Sequence, residues 1–279
     1  MVRLITDSSA DLEPQEYQQL NITCIPLKVM FGETEYQENV DLSKDRFYEL
    51  LAGGDFPKTS QPAPQLLLDL FGEAKAAGEE ALYICISGGI SGTYQTALAT
   101  RELAESDDCY VMDSKNATGG LRLILEYAAR LRDEGKSAKE IIDAVQAMQE
   151  KIVLYACMDT LEYLYRGGRI SQTVYKLGTL AQVKPIIRVT EQGTIEVPAK
   201  VMGMRKGMDW LCKRVEEYKP SAAHNFYAMY TGNRSNGVLL AEKFRAMGYD
   251  IPDEKIINVG AAIGSHVGPN ACGMVYVAE

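Results

Sequence analysis

The sequence predicts an α/β fold made of two α/β domains. Short apolar runs that end in polar turns are followed by helix-period stretches, which is the order expected of a parallel sheet covered by helices. After Arg169 this order gives way to a hairpin pattern, which indicates a second, mixed sheet. A chain of 279 residues with 46% hydrophobic content can bury a core in each domain. We therefore predict a Rossmann-like domain over 1–155 and a mixed-sheet domain over 156–279.

The first domain is predicted from three apolar runs, at 2–5, 82–86 and 110–112, each ending in a polar turn. Helix-period stretches at 93–104 and 117–132 follow the second and third runs. Three further elements complete this half: a helix entered through Pro62 and Pro64, a helix over 138–148 and a buried strand over 152–157.

The second domain is predicted to contain a hairpin whose strands, 183–189 and 193–200, are joined by a turn at 190–193. The remaining predicted elements are a helix over 207–218, a strand over 226–230, a helix over 237–247, a strand over 255–259 and a closing strand over 274–278.

Composition disfavours several classes of protein. The formal charge of −9 argues against nucleic acid as a partner. No apolar stretch approaches the roughly 20 residues of a membrane-spanning helix, and the N-terminus runs into a strand without a signal-peptide pattern. We expect a cytoplasmic protein. The charge is uneven, since residues 163–214 hold ten basic and three acidic side chains, a net +7 that leaves −16 for the rest of the chain.

Five short loops rich in Ser, Thr, Asn and Gly are predicted at 6–9, 58–62, 87–93, 113–119 and 264–270. Loops that leave the carboxyl ends of strands in an open α/β sheet are where ligands bind. These loops offer hydroxyls, amides and backbone N–H groups, with few charged side chains. Such groups can bind an anionic head group as neutral hydrogen-bond donors, and they are less suited to acid/base chemistry.

The loop at 87–93 carries the sharpest signal. Ser91 stands at the expected N-cap of the helix that follows, so its hydroxyl, the N–H groups of Gly92 and Thr93 and the helix dipole face one point. A role as the helix cap alone would be enough to explain a Ser at position 91. The three glycines Gly88, Gly89 and Gly92 also allow a ligand to approach the backbone closely, which favours a binding site.

A second candidate is His266, which stands between Gly264 and Gly268 in a predicted glycine-rich loop where access to a ligand is natural. A single His without nearby Cys or carboxylate ligands cannot fill a metal coordination shell, so no metal site is predicted. Ser91 could instead be a nucleophile. The nucleophile elbow needs Gly two residues after the Ser, where this chain has Thr93, so a hydrolase is disfavoured but stays open.

Together these segments resemble the successive motifs of the DegV family, in the right order from residue 4 to the C-terminus. The motifs are ITDSSADL at 5–12, KTSQP at 58–62, ISGTYQ at 90–95, YRGGRIS at 165–171 and IGSHVGP at 263–269. Two positions depart from the family pattern: Gly88 stands where a Ser is usual, and Asn270 where a Gly is common.

The resemblance implies a two-domain α/β protein that binds one long-chain fatty acid, with the tail in an apolar tunnel and the carboxylate between the domains. It implies a carrier and not an enzyme. A separate ATP-dependent fatty acid kinase subunit would phosphorylate the bound carboxylate, and the acyl phosphate would feed phospholipid synthesis. No catalytic residue and no cofactor besides the fatty acid are expected.

The resemblance also assigns residues. The expected ligand-binding residues are Thr59, Ser60, Ser91, Gly92 and His266. One surface is expected to dock the kinase and to make transient contact with an anionic membrane, to which the protein would be peripheral. It contains Arg166, Arg169 and Arg205. The alternative function is a Ser91/His266 hydrolase acting on acyl esters or thioesters.

Overall fold

Residues 1–176 and 182–279 are described by the structure, a computed structural model. Within those residues the chain forms a four-stranded parallel sheet, a six-stranded mixed sheet and a three-stranded antiparallel sheet. The two larger sheets confirm the predicted α/β fold with one parallel and one mixed sheet. No helix in the described ranges combines the length and apolarity needed to cross a membrane.

The strands, in chain order, are β1 (Val2–Asp7), β2 (Ile22–Ile25), β3 (Lys28–Phe31), β4 (Thr34–Gln37), β5 (Lys58–Ser60), β6 (Glu80–Cys85), β7 (Cys109–Asp113), β8 (Ile152–Cys157), β9 (Val183–Val189), β10 (Ile195–Met202), β11 (Tyr227–Tyr230), β12 (Ile256–Asn258) and β13 (Cys272–Val277). The helices are α1 (Pro14–Gln19), α2 (Lys44–Ala52), α3 (Pro64–Ala77), α4 (Thr93–Leu103), α5 (Gly119–Asp133), α6 (Ala138–Gln149), α7 (Glu162–Arg166), α8 (Gln172–Lys176), α9 (Met204–Glu217), α10 (Arg234–Ala246) and α11 (Ala261–Val267). Short 3-10 turns lie at Ser8–Ala10 and Asp253–Lys255.

The four-stranded sheet has the order β2-β1-β6-β7, and all its pairs are parallel. Its three longer strands are the predicted ones: the apolar runs of β1 and β6 are buried almost throughout, and β7 buries Cys109 and Met112. The polar turns that leave β1, β6 and β7 therefore meet at the carboxyl edge of this sheet, as expected for a ligand site in an open α/β sheet.

The six-stranded sheet has the order β10-β9-β8-β13-β11-β12, with one parallel pair, β11 with β12. Its remaining pairs are antiparallel, including the predicted β9–β10 hairpin. The division predicted after residue 155 falls inside β8, yet all of β8 pairs with β13. This sheet therefore starts at Ile152. The division of the chain into two domains stays a prediction.

Helix α5 joins the two larger sheets. It packs on β1 on one side and on β8 and β13 on the other. One hydrophobic cluster contains Leu4 of β1, Leu121 of α5 and Val275 of β13, all almost fully buried. The two sheets thus share a core through α5, and this shared core sets the spacing between the facing walls of the site described below.

Two elements differ from the predicted loops. The segment at 58–62 begins with β5, which pairs with β3 in the small sheet β4-β3-β5. The segment at 264–270 begins inside α11. The small sheet has strands of three or four residues, too short for an alternating pattern to be recognised. Helix α11 was missed because it is short and Gly264 interrupts its sequence.

Candidate functional site

An apolar cavity of about 380 Å³ is lined by residues of both larger sheets and the loops beside them. The volume lies in the range of about 300–1,000 Å³ that small-molecule sites occupy. Its apolar wall includes Ile86, Leu154, Ile187, Val189 and Met229. Such a wall suits a hydrocarbon chain, since it offers many apolar contacts and few polar partners.

All five predicted ligand-binding residues line this cavity: Thr59, Ser60, Ser91, Gly92 and His266. They come from β5, from the loop before α4 and from α11. Elements that are far apart in sequence therefore supply the polar part of one cavity. Gln61 also lines it, and its amide oxygen accepts a hydrogen bond from Thr96 Oγ1, which orients the amide nitrogen toward Gly92.

The side chains of Thr59 and His266 are hydrogen-bonded, with 2.8 Å between Thr59 Oγ1 and His266 Nε2. Burial, helped by the charge of Arg169, lowers the pKa of His266 to about 4. The imidazole is therefore neutral at physiological pH. Its Nδ1 is buried without a hydrogen-bond partner among the described residues. His266 can thus orient Thr59 without adding charge to the site.

The turn between α7 and Arg169 fits closely against His266. A Cβ atom at Gly167 would overlap Nδ1 of His266, so the ring packs directly on the Gly167 backbone. Gly168 has φ of 74°, in the left-handed region that favours glycine. The two glycines of the YRGGRIS motif are therefore needed for different causes: Gly167 leaves room for the His266 ring, and Gly168 adopts a left-handed backbone conformation.

Ser91 lies just before α4. Helix α4 starts at Thr93, and Ser91 Oγ accepts the Thr93 N–H at 3.3 Å and lies 2.9 Å from Thr93 Oγ1. Ser91 therefore both receives a free N–H of the first turn and lines the cavity. A Cβ at Gly92 would overlap the amide nitrogen of Gln61, so a larger residue there would have to displace the Gln61 side chain.

The other two glycines of this loop pack against protein. A Cβ at Gly88 would lie 3.0 Å from Asp113 Oδ2, and one at Gly89 would lie 2.6 Å from the carbonyl oxygen of Gly193. Ser87 Oγ donates to the same Gly193 oxygen at 2.8 Å. The β9–β10 turn is thus held against the loop that leads to Ser91, and Gly89 allows that contact between the two halves.

Arg169 departs from its predicted place on an outer basic surface, because it lies in the cavity wall. Its Nε donates to the Ile90 carbonyl at 3.0 Å and its Nη1 to the Gly167 carbonyl at 2.5 Å. Burial lowers the pKa of this guanidinium. The cavity therefore contains a half-buried cation, held between the Ser91 loop and the His266 contact, beside the hydroxyl and N–H donors. That neutral donors alone hold an anionic head group stays a prediction.

Arg166 and Arg205 are exposed, as predicted. Arg166 stacks over the Phe56 ring, with its Cζ 3.7 Å from the centroid, and pairs with Glu162 at 2.7 Å. Arg205 lies in the first turn of α9. Three other basic residues of the 163–214 segment have carboxylate partners: Lys184 with Asp159, Arg188 with Glu196 and Arg214 with Glu217. The net charge of that segment is therefore partly neutralised locally.

Sequence reasoning did not place Arg169 or Gln61 at the ligand site. For Gln61 the available signal was its place in the KTSQP motif, whose Thr59 and Ser60 were assigned to the ligand; for Arg169, the YRGGRIS motif suggested only the outer surface. In the described ranges, no group of three or more His, Cys, Asp or Glu side chains is arranged to hold a metal ion.

Comparisons with known proteins agree with this geometry. The family model described as "Uncharacterised protein, DegV family" matches residues 1–279. A DegV domain-containing protein of Caldanaerobacter subterraneus subsp. tengcongensis is 30% identical over 279 residues, covering 99% of this chain and 98% of that protein.

Two solved structures share the fold. A DegV family protein from Thermus thermophilus with fatty acid binding has a TM-score of 0.88 and 26% identity, over 100% of this chain and 99% of that one. DegV, a fatty acid binding protein from Bacillus subtilis, has a TM-score of 0.84 and 27% identity, with the same coverage. Because the family model spans the whole chain, and four of the five motifs that resemble the family contribute residues to one cavity, this chain belongs to the DegV family.

Proposed function

We propose that the protein binds one long-chain fatty acid, with the tail in the apolar cavity and the carboxylate against Thr59, Ser91, Gly92 and Arg169. The observation that carries this proposal is an apolar cavity whose polar residues are hydroxyl, N–H and guanidinium donors. Charge-assisted hydrogen bonds from such donors stabilise a carboxylate. Each buried methylene adds about 0.8 kcal/mol, so the tail supplies most of the affinity.

The relatives support this ligand class. The proteins from Thermus thermophilus and Bacillus subtilis bind fatty acids and align with nearly the whole of this chain. We propose a carrier role in addition, in which a separate ATP-dependent kinase phosphorylates the bound carboxylate. Gln61, which is exposed while lining the cavity, supports this step because the polar residues then lie where solvent, and a phosphoryl donor, can reach them.

The hydrolase alternative has less support. A serine hydrolase needs its His hydrogen-bonded to the nucleophile and oriented by a third group. Here Ser91 Oγ interacts with Thr93, whereas His266 Nε2 interacts with Thr59. The other ring nitrogen, Nδ1, has no carboxylate partner in the described part of the chain.

The fatty-acid proposal is tested by mass spectrometry and organic extraction of freshly purified protein. We expect about one fatty acid per chain. At about 0.8 kcal/mol per buried methylene, tight binding needs a tail longer than roughly a dozen carbons. After delipidation, a fatty acid should bind more tightly than the alcohol of equal length, because only the acid carries the anion. Unliganded protein that fails to bind added fatty acid would overturn the proposal, and acyl-ester turnover abolished by Ser91→Ala would favour the hydrolase.

Kinase docking and transient contact with an anionic membrane belong to the same proposal, supported by the exposed cations Arg166 and Arg205. Reversing both charges to Glu should reduce binding to vesicles that contain anionic lipid, in a salt-sensitive manner, and leave the bound fatty acid unchanged. If the reversed protein binds such vesicles as well as the parent does, and the kinase phosphorylates its bound fatty acid at the parent rate, these two residues have no docking role.

A further inference from the structure

Two buried carboxyl groups hold the first turn of α11, the helix that carries His266. Asp11 Oδ1 accepts the Gly260 N–H at 2.8 Å, and Glu38 Oε1 accepts the Ala262 N–H at 3.0 Å. Both acidic residues are only 1% exposed. The first N–H groups of a helix have no partner within the helix, so these carboxyls supply what the turn lacks.

The second oxygen of each carboxyl group ties the same turn to another segment. Asp11 Oδ2 accepts from Thr118 Oγ1 at 2.5 Å, and Thr118 lines the cavity. Glu38 Oε2 accepts from Ser8 Oγ at 2.6 Å, and that hydroxyl accepts the Leu27 N–H. The start of α11 is thereby joined to the end of β1, to the start of β3 and to the cavity wall before α5.

The two carboxyl groups pack closely against the backbone at the start of α11. A Cβ atom at Gly260 would overlap Glu38 Oε1 and lie 2.7 Å from Asp11 Oδ1. Burial, followed by the nearby Asp11 carboxyl, raises the pKa of Glu38 to about 7. Burial raises the pKa of Asp11 to about 6, opposed by Lys44. Lys44 itself pairs with Glu13 at 2.6 Å. Glu38 is therefore protonated in much of the population at neutral pH. In that form one oxygen still accepts the Ala262 N–H, as the amide oxygen of Gln would, while the other becomes a donor and its hydrogen bond with Ser8 Oγ reverses.

The position of the first turn determines the position of His266. Helix α11 has seven residues, and His266 lies four residues after Ala262, on the same side of the helix. One helical turn after Gly260, a Cβ at Gly264 would lie 2.7 Å from Phe47 and 2.9 Å from the Tyr48 hydroxyl. Both of these residues belong to α2, so α2 prevents α11 from shifting sideways.

Glu38 also directly follows β4, and β4 belongs to the small sheet in which β5 carries Thr59. One carboxyl group thus anchors both the sheet that presents Thr59 and the helix that presents His266. We propose that Glu38, with Asp11, is a positioning residue that holds His266 against Thr59, and that it acts by accepting hydrogen bonds and not by its charge. Its relevance to ligand binding rests on the proposed fatty-acid function.

The test uses the two histidines of the chain, His224 and His266, as NMR reporters in the ligand-free protein. His224 packs on Tyr127, away from the cavity, and serves as the internal reference. Glu38→Ala should move the titration midpoint of His266 from about 4 toward 6.5, the value of an exposed imidazole, while His224 stays unchanged. Glu38→Gln should keep the parent His266 signal. Glu242→Ala, an exposed position on α10, is the matched control.

Gly260→Ala provides a second route, because it displaces both carboxyl groups without removing either. It should shift the His266 titration in the same direction as Glu38→Ala. Fatty-acid affinity should fall about tenfold in both variants, the equivalent of one hydrogen bond to a charged group, and stay at the parent level in Glu38→Gln.

Three outcomes would overturn the proposal. These are an unchanged His266 titration in Glu38→Ala and Gly260→Ala, a Glu38→Gln variant that behaves like Glu38→Ala, and a simultaneous change at His224, which would mean that Glu38 supports the whole fold. If the parent binds no fatty acid, the proposed function fails while the histidine titrations still decide the positioning role.

Discussion

His266 Nε2 and Thr59 Oγ1 lie 2.8 Å apart although 207 positions separate the two residues in the chain. Because Nδ1 is buried without a partner, the tautomer that places the hydrogen on Nε2 avoids an unsatisfied N–H. In that tautomer the imidazole donates to Thr59, and the Thr59 hydroxyl hydrogen is left to donate to a carboxylate. The pair therefore converts a neutral imidazole into an oriented hydroxyl donor.

The first prediction concerns the two hydroxyls. Thr59→Ala and Ser91→Ala should each weaken fatty-acid binding by about 1–3 kcal/mol, the range for losing one hydrogen bond to a charged group. Calorimetric titration of delipidated protein measures the change, with Thr34→Ala, exposed on β4, as the control. Normal binding combined with a lower melting temperature would instead mean that the hydroxyls serve only the local structure.

The second prediction concerns the buried cation. Arg169→Gln should weaken fatty-acid binding by about 1.5–3 kcal/mol, because Gln lacks the charge that assists the hydrogen bond to the carboxylate. Arg205→Gln, which removes an exposed charge, should leave the affinity unchanged. Equal affinities of the two variants would remove Arg169 from the head-group site. Binding of the long-chain alcohol should be insensitive to both changes.

The third prediction concerns the close contact beneath His266. Gly167→Ala should displace the imidazole, since the new Cβ would overlap Nδ1 while the backbone φ of −74° tolerates alanine. We expect a loss of about 1–3 kcal/mol in unfolding free energy, typical of overpacking. Gly72→Ala in α3, where nothing lies within 4 Å, is the control. Urea denaturation that shows no loss for Gly167→Ala would contradict the contact.

The fourth prediction concerns pH. The pKa of His266 is about 4 in the folded protein and 6.5 when free, so between these values the unfolded chain binds the proton more readily. The stability of the parent relative to His266→Asn should therefore be complete above pH 6.5 and decline as the pH falls toward 4. Asp11 and Glu38, whose pKa values are raised, have the opposite slope but are common to both proteins.

Urea unfolding of both proteins at several pH values measures that difference. A stability difference that does not change with pH would show that His266 is not buried in its neutral form.

The fifth prediction concerns the contact between the two halves. Gly193→Ala should destabilise the protein more than Gly135→Ala, although both positions have positive φ, 74° and 83°. Only at Gly193 would the added Cβ overlap Ser87 Oγ, whereas nothing lies within 4 Å at Gly135. Both variants share the backbone strain of about 1–3 kcal/mol, so the excess in thermal denaturation reports the contact. Equal losses of stability in the two variants would mean that backbone strain alone explains the effect and that the contact with Ser87 contributes nothing.

The strongly periodic segments were predicted well. The buried strands β1 and β8, the helices α4 and α6 and the β9–β10 hairpin all lie within a few residues of their predicted bounds. Each is recognised from neighbouring residues alone, because burial of one face or of both faces imposes a local period. The small sheet and α11 were missed because their short segments are stabilised by partners far away in the chain.

The sequence by itself determined the α/β class, the order of the strongly periodic elements and the hydroxyl and N–H groups that the cavity loops offer, because these depend on local periodicity and on the residue types in a few loops. Only the tertiary structure decided that Arg169 joins the cavity wall and that Glu38 and Asp11 hold α11. The hydrogen bond from Gly260 to Asp11 spans 249 positions and the one from Ala262 to Glu38 spans 224. Partners at such separations are selected by the packing of whole elements, which no local spacing in the sequence encodes.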